Sequence, residues 1–509
     1  MTRPLRHALL CALLALGLLS GIVSHASAEN VTYPGSALQV IEGYDALAPS
    51  GSAGALNDCK STNLTDNTVT MFSGTAARIY GGVNTIDTTP ISNNKVIING
   101  GMVSGAASPV VAGGYGKMAT NNSVTVNGGI IDNEIAGGIG TTTATGNSVT
   151  MNAGTLNGGF ICGASGGNLT NNKVTINDGT VNGTVFGAIG DTATNNSVTI
   201  NGGLIIDISG GWAVNGLSTG NTVTMNSGVT GSISGGEAFN GSATQNHITI
   251  VGNSHIGANV YAGYAWSDSS ATATHNTLTI SGTPTFGATA LYGGYTTGAG
   301  AGDAFSGNTL NLHSANINVA GLRNFQYLNF YLPSTLTSGS TMLFASGTTD
   351  LTDGAGRTAT VNVGIDGKRS PLRVGDQVIL IDAGSLVGTP ENTTANGQGM
   401  QGVTLNYEFD IMRVGNRLLA TTAKAGVNPQ AKALSEGFLA GLALVNQGGN
   451  LVAGQGMAQA VNAADGSGFG AFGAFSGGWS RYNTGSHLDM SSVSLVTGIS
   501  WGAILRPAT

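Results

Sequence analysis

The sequence predicts an all-β chain wound as a right-handed parallel β-helix, and three observations carry that prediction. An asparagine followed by two apolar residues spaced two apart recurs ten times, the residues beside the apolar ones are hydroxylic or polar, and glycine corners follow. The fullest copy is Asn196-Ser197-Val198-Thr199-Ile200-Asn201-Gly202-Gly203. Repeats of this size cannot bury an apolar face singly, and stacking supplies the missing partner surface.

The leading asparagines are Asn67, Asn94, Asn122, Asn147, Asn172, Asn196, Asn221, Asn246, Asn276 and Asn308, with steps of 27, 28, 25, 25, 24, 25, 25, 30 and 32. The inward pairs include Val124/Val126, Val149/Met151, Val174/Ile176, Val198/Ile200 and Ile248/Ile250, because side chains two apart on a strand share a face. Ser123/Thr125, Ser148/Thr150, Ser197/Thr199 and Thr222/Thr224 then face water. A second apolar element ending in glycine completes each coil, as in Ile135-Ala136-Gly137-Gly138-Ile139 and Leu291-Tyr292-Gly293-Gly294-Tyr295. The recurring asparagine fits two roles equally, an internal amide ladder or a residue that tolerates a left-handed corner. At about 4.8 Å per rung, ten coils span roughly 45 Å.

Residues 1–28 read as a signal peptide. Arg3, Arg6 and His7 precede the apolar run from Ala8 to Leu19, and Ala26-Ser27-Ala28 suits cleavage after small residues. The run is shorter than the roughly 20 residues of a spanning helix. Composition places the remainder away from globular enzymes, with 83 glycines in 509 residues and 8% charged residues. Loss of Arg3 and Arg6 leaves 16 of the 18 basic residues against 25 acidic ones, a net charge of −9. Nucleic acid is excluded as a partner, since phosphate neutralisation needs clustered Lys and Arg. Cys11 falls in the leader, and Cys59 and Cys162 lie several rungs apart, too far to bridge unless the leading segment folds back along the rod, so both are expected as thiols.

Residues 29–66 show the repeat poorly and read as an N-terminal cap, residues 67–320 as the ten-coil solenoid, and residues 321–427 as a junction of longer strands. At Asn428-Pro429 the period changes. Asparagine suits an N-cap and proline the first helical position, and Leu434, Phe438, Leu442 and Val445 form a stripe at helical spacing. Gln447-Gly448-Gly449 predicts the stop, giving a helix of about 19 residues, roughly 28 Å long, within a linker region of residues 428–466. From residue 467 the pattern alternates. Val493, Leu495, Thr497, Ile499 and Trp501 stand against Ser494, Val496, Gly498 and Ser500, with Phe469 to Tyr482 as partner strand and Asn483-Thr484-Gly485-Ser486 as turn.

This succession resembles the autotransporters of Gram-negative bacteria, the type V secretion proteins. The segments that carry the resemblance are Ala433-Leu434-Ser435-Glu436-Gly437-Phe438-Leu439-Ala440-Gly441-Leu442-Ala443-Leu444-Val445-Asn446-Gln447-Gly448 and Phe472-Gly473-Ala474-Phe475-Ser476-Gly477-Gly478-Trp479-Ser480-Arg481-Tyr482-Asn483-Thr484-Gly485-Ser486. They look like the pore helix and opening strands of a translocator. The resemblance implies a displayed passenger, a helix threading a lumen, and an outer-membrane barrel of roughly a dozen strands. This sequence carries only two before Thr509, so residues 467–509 read as the start of a truncated barrel, and the chain by itself is expected to reach the periplasm.

Motifs of chemistry are sparse. G-x-S-x-G occurs at Gly163-Ala164-Ser165-Gly166-Gly167 and Gly216-Leu217-Ser218-Thr219-Gly220, in neither case between a strand and a helix. His247, His255, His275, His313 and His487 lack ligand spacing, although His247 and His275 neighbour repeat asparagines on adjacent coils. Calcium-binding glycine-aspartate repeats are absent, and Gly114-Tyr115-Gly116-Lys117 lacks the form of a phosphate loop. No cofactor, metal or catalytic residue is assigned. Asp132, Glu134, Asp178, Asp191, Asp207 and Glu237 fall at different coil positions, which weighs against the alternative of a polysaccharide-active β-helix enzyme. A further alternative is an ice-binding solenoid, but Lys95, Ile97, Lys173, His247 and Asn311 interrupt the hydroxyl array. The expected function is a non-enzymatic, adhesin-like passenger whose receptor, protein or glycan, the sequence leaves unnamed.

Overall fold

The computed structural model describes residues 30–33, 39–42, 64–84, 88–105, 110–266, 270–297, 302–396, 400–401, 404–426, 428–465, 468–482 and 488–503. Two compact units result. One runs to Gln401 and takes in Tyr407–Ala425; the other comprises Gly402–Asn406 and resumes at Gly426. Residues 1–28, read from sequence as a signal peptide, Cys59, His487, the expected turn at residues 483–486 and the last six residues lie outside the described residues.

The first unit is a parallel β-solenoid of about ten regular turns. Its most regular wall is a sheet of 13 strands, one from each successive coil, that begins at Asn30–Tyr33 and ends at Thr360–Asp366. Each repeat copy supplies a four-residue strand. In Ser123–Val126, Ser148–Met151, Ser197–Ile200 and Thr222–Met225 the first and third side chains are half-buried and the second and fourth buried. Alternation across the pleat therefore places the paired aliphatics in the core, and the register from coil to coil is unbroken: Val124 opposes Val149, Val174 opposes Val198, Val198 opposes Val223.

Both roles proposed for the asparagine position are filled, by adjacent residues. The ten leading asparagines are buried, each at 1% exposure or less, and form an internal ladder. Asn122 donates from its backbone N and its Nδ2 to Oδ1 of Asn147 at 2.9 and 3.0 Å, and its Nδ2 also donates to the Ile91 carbonyl at 2.9 Å. Asn147 repeats this toward Asn172, with Ala119 as the carbonyl partner. Every donor and acceptor of an interior amide is thus used, which is the condition for burying one cheaply. The left-handed corner belongs to the preceding residue. Asn93, Asn121, Asn171, Asn195, Gln245 and His275 have φ between 54° and 59°, and glycine stands there at Gly146, Gly220 and Gly307.

A second ladder follows the strand on its exposed side. Asn127, Asn152, Asn177, Asn201 and Asn226 each donate Nδ2 to Oδ1 of the asparagine one coil earlier, at 2.7 to 2.8 Å, beginning from Asn99.

Within residues 29–66 the described strands Asn30–Tyr33 and Gln39–Glu42 pair in parallel with Thr68–Met71 and Thr75–Tyr80. They add one further layer to both walls. Beyond Leu312 the stack continues through Tyr327–Pro333 and Thr360–Asp366. It closes where the antiparallel pair Glu408–Val414 and Arg417–Lys424 docks on Gln377–Val387. Reversal of direction ends the parallel winding and covers the last edge.

The second unit holds helix α1 (Pro429–Leu451), a π turn (Val452–Gly456), helix α2 (Met457–Ala464) and a hairpin of Phe469–Tyr482 with Leu488–Trp501. The predicted stop at Gln447-Gly448-Gly449 is incorrect, because the helix runs through both glycines. Leu451 and Gly456 are buried, Gly456 lies against Val496, and tertiary packing of this kind outweighs the glycine penalty of about 1 kcal/mol per residue. The π turn inserts one residue and keeps the later turns facing the hairpin, where Gly470 and Gly502 lie against Ala463 and Ala464. The predicted stripe points elsewhere: Phe438 and Val445 are more than 70% exposed, while Gln447 bonds the hairpin through Ser492 Oγ and the Ser476 carbonyl. The side chain of Leu434 lies outside the described residues. Among those residues no helix is long and apolar enough to cross a membrane, which says nothing of strands.

Candidate functional site

The second wall of each coil bends at the glycine pair, and the bend is concave toward solvent. Interior residues of this wall form the column Ile79, Val111, Ile135, Ile161, Val185, Ile208, Ile233, Val260 and Leu291. One residue further on, the outward column runs Tyr80, Ala112, Ala136, Cys162, Phe186, Ser209, Ser234, Tyr261, Tyr292 and Arg323. After the corner comes a second outward column, Val83, Tyr115, Ile139, Ser165, Ile189, Trp212, Glu237, Tyr264 and Tyr295. Side chains on a convex bend would diverge. Here they meet: Tyr80 and Tyr115 have ring centroids 6.2 Å apart, Phe186 and Trp212 5.7 Å, Tyr261 and Tyr264 5.0 Å, Tyr292 and Tyr295 5.1 Å.

The concavity is a consequence of the glycines. At Gly114 and Gly211 a Cβ would stand 2.7 Å from Cγ of Asn122 and 2.8 Å from Cγ of Asn221. The wall therefore folds inward until its backbone rests on the asparagine ladder, and a groove is left outside.

Along the first coils the groove is filled. Tyr80, Phe160, Cys162, Phe186, Ile189 and Trp212 pack as a cluster outside the main core, each under 10% exposed. Polar groups are interred with them: Glu134 is 1% exposed and its Oε1 lies 4.0 Å from Cys162 Sγ. Burial, and then the Glu134 carboxylate, push the Tyr115 phenol up, with Arg78 opposing.

From Tyr261 onward the groove opens. Tyr261, Tyr264, Trp266, Tyr292 and Tyr295 are half-buried and stack on one another, Tyr261 on Tyr292 at 5.0 Å and Tyr264 on Trp266 at 4.4 Å. Asn259 Nδ2 donates to the Tyr261 hydroxyl at 2.9 Å. Burial, followed by the neighbouring phenols and Glu237, pushes Tyr264 up to about 12, against a hydrogen bond with Thr297. Tyr261 moves in the same direction for the same first reason. The Trp266 indole N–H is buried with no acceptor among the described residues.

No family model, curated protein or solved structure matches the chain. The chemistry of the groove therefore has to be read from its own residues. They are aromatic faces and neutral hydroxyls, with Glu237 toward one end and the exposed Arg323 beyond Tyr292 at the other.

The residues weighed from sequence fall as follows. Ser165 lies inside the strand Phe160–Thr170, and Ser218 is buried with its Oγ donating to the Gly211 carbonyl at 2.9 Å; neither stands at a strand-to-helix turn. His247 opens a repeat strand and faces Thr277 rather than His275, which occupies a left-handed corner. His255 pairs with Thr285, and His313 stacks on Tyr331 beside Asp366. Asp132, Asp178 and Asp191 are tied to Asn157, the Gly179 N–H and Asn215. The expectation that all six carboxylates differ in coil position is corrected in one respect: Glu134 and Asp207 share a column, through Phe160 and Thr184. Three rungs separate them, roughly 14 Å, wider than the ~5 to 9.5 Å of paired carboxylates that cleave glycosides. Among the described residues no group of His, Cys, Asp or Glu could hold a metal ion.

Sequence reasoning missed the groove, although its signal was present. Aromatic residues flank the corner on both sides in Tyr261-Ala262-Gly263-Tyr264 and Tyr292-Gly293-Gly294-Tyr295 and on one side in Tyr80-Gly81-Gly82-Val83, one residue out of phase with the buried aliphatics. A shallow cavity of about 450 Å³ is lined by residues that include Phe286, Asn318, Phe344 and Asp382, and Arg417 holds the Asp382 carboxylate at 3.0 Å.

Proposed function

We propose that this protein is an exported, surface-associated passenger of the autotransporter kind, adhesin-like and without catalytic turnover. The observation that carries the reading is the two-faced hairpin that follows the solenoid and helix. Phe469, Phe475, Trp479, Val493, Leu495, Ile499 and Trp501 lie on its outer face at 63% exposure or more. Ala474, Ser476, Val496 and Ser500 alternate with them on the other face, toward the helix. An apolar outward face with aromatic residues near both ends is what a membrane strand presents to lipid. A long solenoid ahead of it supplies recognition surface.

The reading is tested by expressing the chain with its leader in a Gram-negative host. Expected are a mature N-terminus near Glu29, recovery with the cell envelope, and attachment of beads coated with the purified protein to glycan- or protein-bearing surfaces without sugar release. A cytoplasmic chain retaining Met1, or steady release of sugar, contradicts it.

A second reading draws on one observation. Thr125, Thr150, Thr175, Thr199, Thr224, Thr249 and Thr279 form an unbroken column over seven coils beside the exposed asparagine ladder. Such a face suits ordered water, and thermal hysteresis measured on the purified protein decides it.

A further inference from the structure

We infer that the open half of the groove, from Glu237 to Arg323, binds an acidic pyranose oligosaccharide. The inference rests on the proposed surface role and names the ligand class for it.

Length comes first. Glu237, Tyr264 and Tyr295 are successive rungs of one column, and Tyr261, Tyr292 and Arg323 of the other. From the Glu237 rung to the Arg323 rung is three steps, roughly 14 Å, a span comparable to three linked pyranose rings. Chemistry comes second. A pyranose offers a flat C–H face to an aromatic ring and a rim of hydroxyls to polar groups, and both surfaces are met here. The rings form a chain from Trp266 through Tyr264, Tyr261 and Tyr292 to Tyr295, each centroid 4.4 to 5.1 Å from the next, and all five are partly exposed. The four tyrosine hydroxyls can donate as well as accept. Glu237 accepts hydroxyl protons at one end of the groove.

Charge selects within the class. Arg323 is exposed, and among the described residues it is the only cation on either column and makes no ion pair. A carboxylate at the far end of the saccharide gives it a partner with bidentate geometry. Competing ligands fit less well. A nucleic acid strand needs several cations along its backbone. A peptide that adds as a strand needs a free sheet edge, whereas the backbone of these rungs is bonded from coil to coil, as at Ala262 N to Tyr292 O and Tyr295 N to Gly263 O.

The test uses the purified full chain in detergent, with trigalacturonate as the acidic probe and galactotriose as its neutral counterpart, followed by tryptophan fluorescence and calorimetry. Trigalacturonate is expected to bind about tenfold more tightly than galactotriose, and Arg323→Ala to erase that difference. Tyr292→Ala is expected to weaken both by about tenfold or more. Tyr292→Phe, which keeps the packing, is expected to fall between. The inference is overturned if neither saccharide binds at about millimolar concentration, or if Arg323→Ala and Tyr292→Phe bind as the parent chain does while circular dichroism shows the solenoid intact. Attachment of coated beads that survives both substitutions removes the ligand assignment and leaves the surface role standing.

Discussion

A methyl group added to Gly211 would stand 2.8 Å from Cγ of Asn221, the ladder residue that opens the next coil. That closeness joins the two signatures of the repeat. The asparagine supplies a rigid internal post and the glycine lets the opposite wall lean on it, so the groove exists because the ladder does.

Gly211→Ala is therefore expected to destabilise the solenoid by roughly 1 to 3 kcal/mol, the range for overpacking, and to alter the groove beside Trp212. Gly257→Ala is the control, because a methyl there meets nothing nearer than 3.6 Å. Denaturant midpoints followed by circular dichroism and by tryptophan emission separate the two, and equal midpoints for both variants contradict the account.

The ladder itself makes a prediction about pH. Asn196 Oδ1 accepts from Asn172 at 2.9 and 3.0 Å, while its Nδ2 donates to Asn221 Oδ1 and the Leu169 carbonyl. Asn196→Asp keeps the acceptor and turns the donor into an oxygen facing two others. The buried carboxyl is pushed up, so the folded state holds its proton at a pH where the unfolded state, with a value near 3.9, has lost it. Stability then falls as pH rises. The expected loss near neutrality is about 3 to 5 kcal/mol, shrinking as pH approaches about 4. The same change at Asn177 in the exposed ladder is expected to cost under about 1 kcal/mol. Midpoints measured across pH for both variants check this.

The end of the solenoid titrates with the opposite sign. Arg357 pairs with Asp303 at 3.0 Å and Asp353 at 2.5 Å and lies 5.3 Å from the Phe305 ring centroid. Burial alone would raise the Asp303 carboxyl, but hydrogen bonds from Arg357, Ser306 and the backbone of Phe305 and Ser306 hold it well below the usual range. A depressed carboxylate stabilises fully above its unfolded value, near pH 4, and the contribution is lost as pH falls through the folded one. Arg357→Ala should lessen that acid-side loss, leaving the part due to Ser306 and the Phe305 and Ser306 backbone, while costing about 1 kcal/mol or less at neutrality, because the pair is partly exposed and screened; denaturant midpoints measured from acid to neutral pH check this.

Much of this architecture was legible, and the reasons are physical. Pairs such as Val198/Ile200 reveal a strand because pleat alternation leaves a period of two, and the asparagine step reveals the coil. The concave corner was not legible, since Phe186 and Trp212 look like core residues by composition although they are buried outside the core. Gly448-Gly449 misled because a local stop signal cannot report that Leu451 and Gly456 pack further along. The Phe438 and Val445 stripe misled for a related reason: helical spacing shows that residues share a face, not that anything covers it.

The hairpin gives a prediction for the membrane. Leu495 lies on the outer face, opposite Phe475. Leu495→Lys is expected to weaken partition into lipid vesicles by about 2 to 4 kcal/mol if this position sits near the bilayer midplane. Thr497→Ser on the same face should leave it within about 0.5 kcal/mol. Vesicle flotation of the two variants provides the comparison.

The stacking of coils in register is most directly tested by distances between paired spin labels on the threonine column. Thr70 and Thr224 are six coils apart, Thr125 and Thr224 four, and Thr70 and Thr279 eight. At about 4.8 Å per coil the separations should be roughly 29, 19 and 38 Å, allowing for the label arms. Separations proportional to coil number support the solenoid and the groove along it, and separations that do not grow with coil number contradict both.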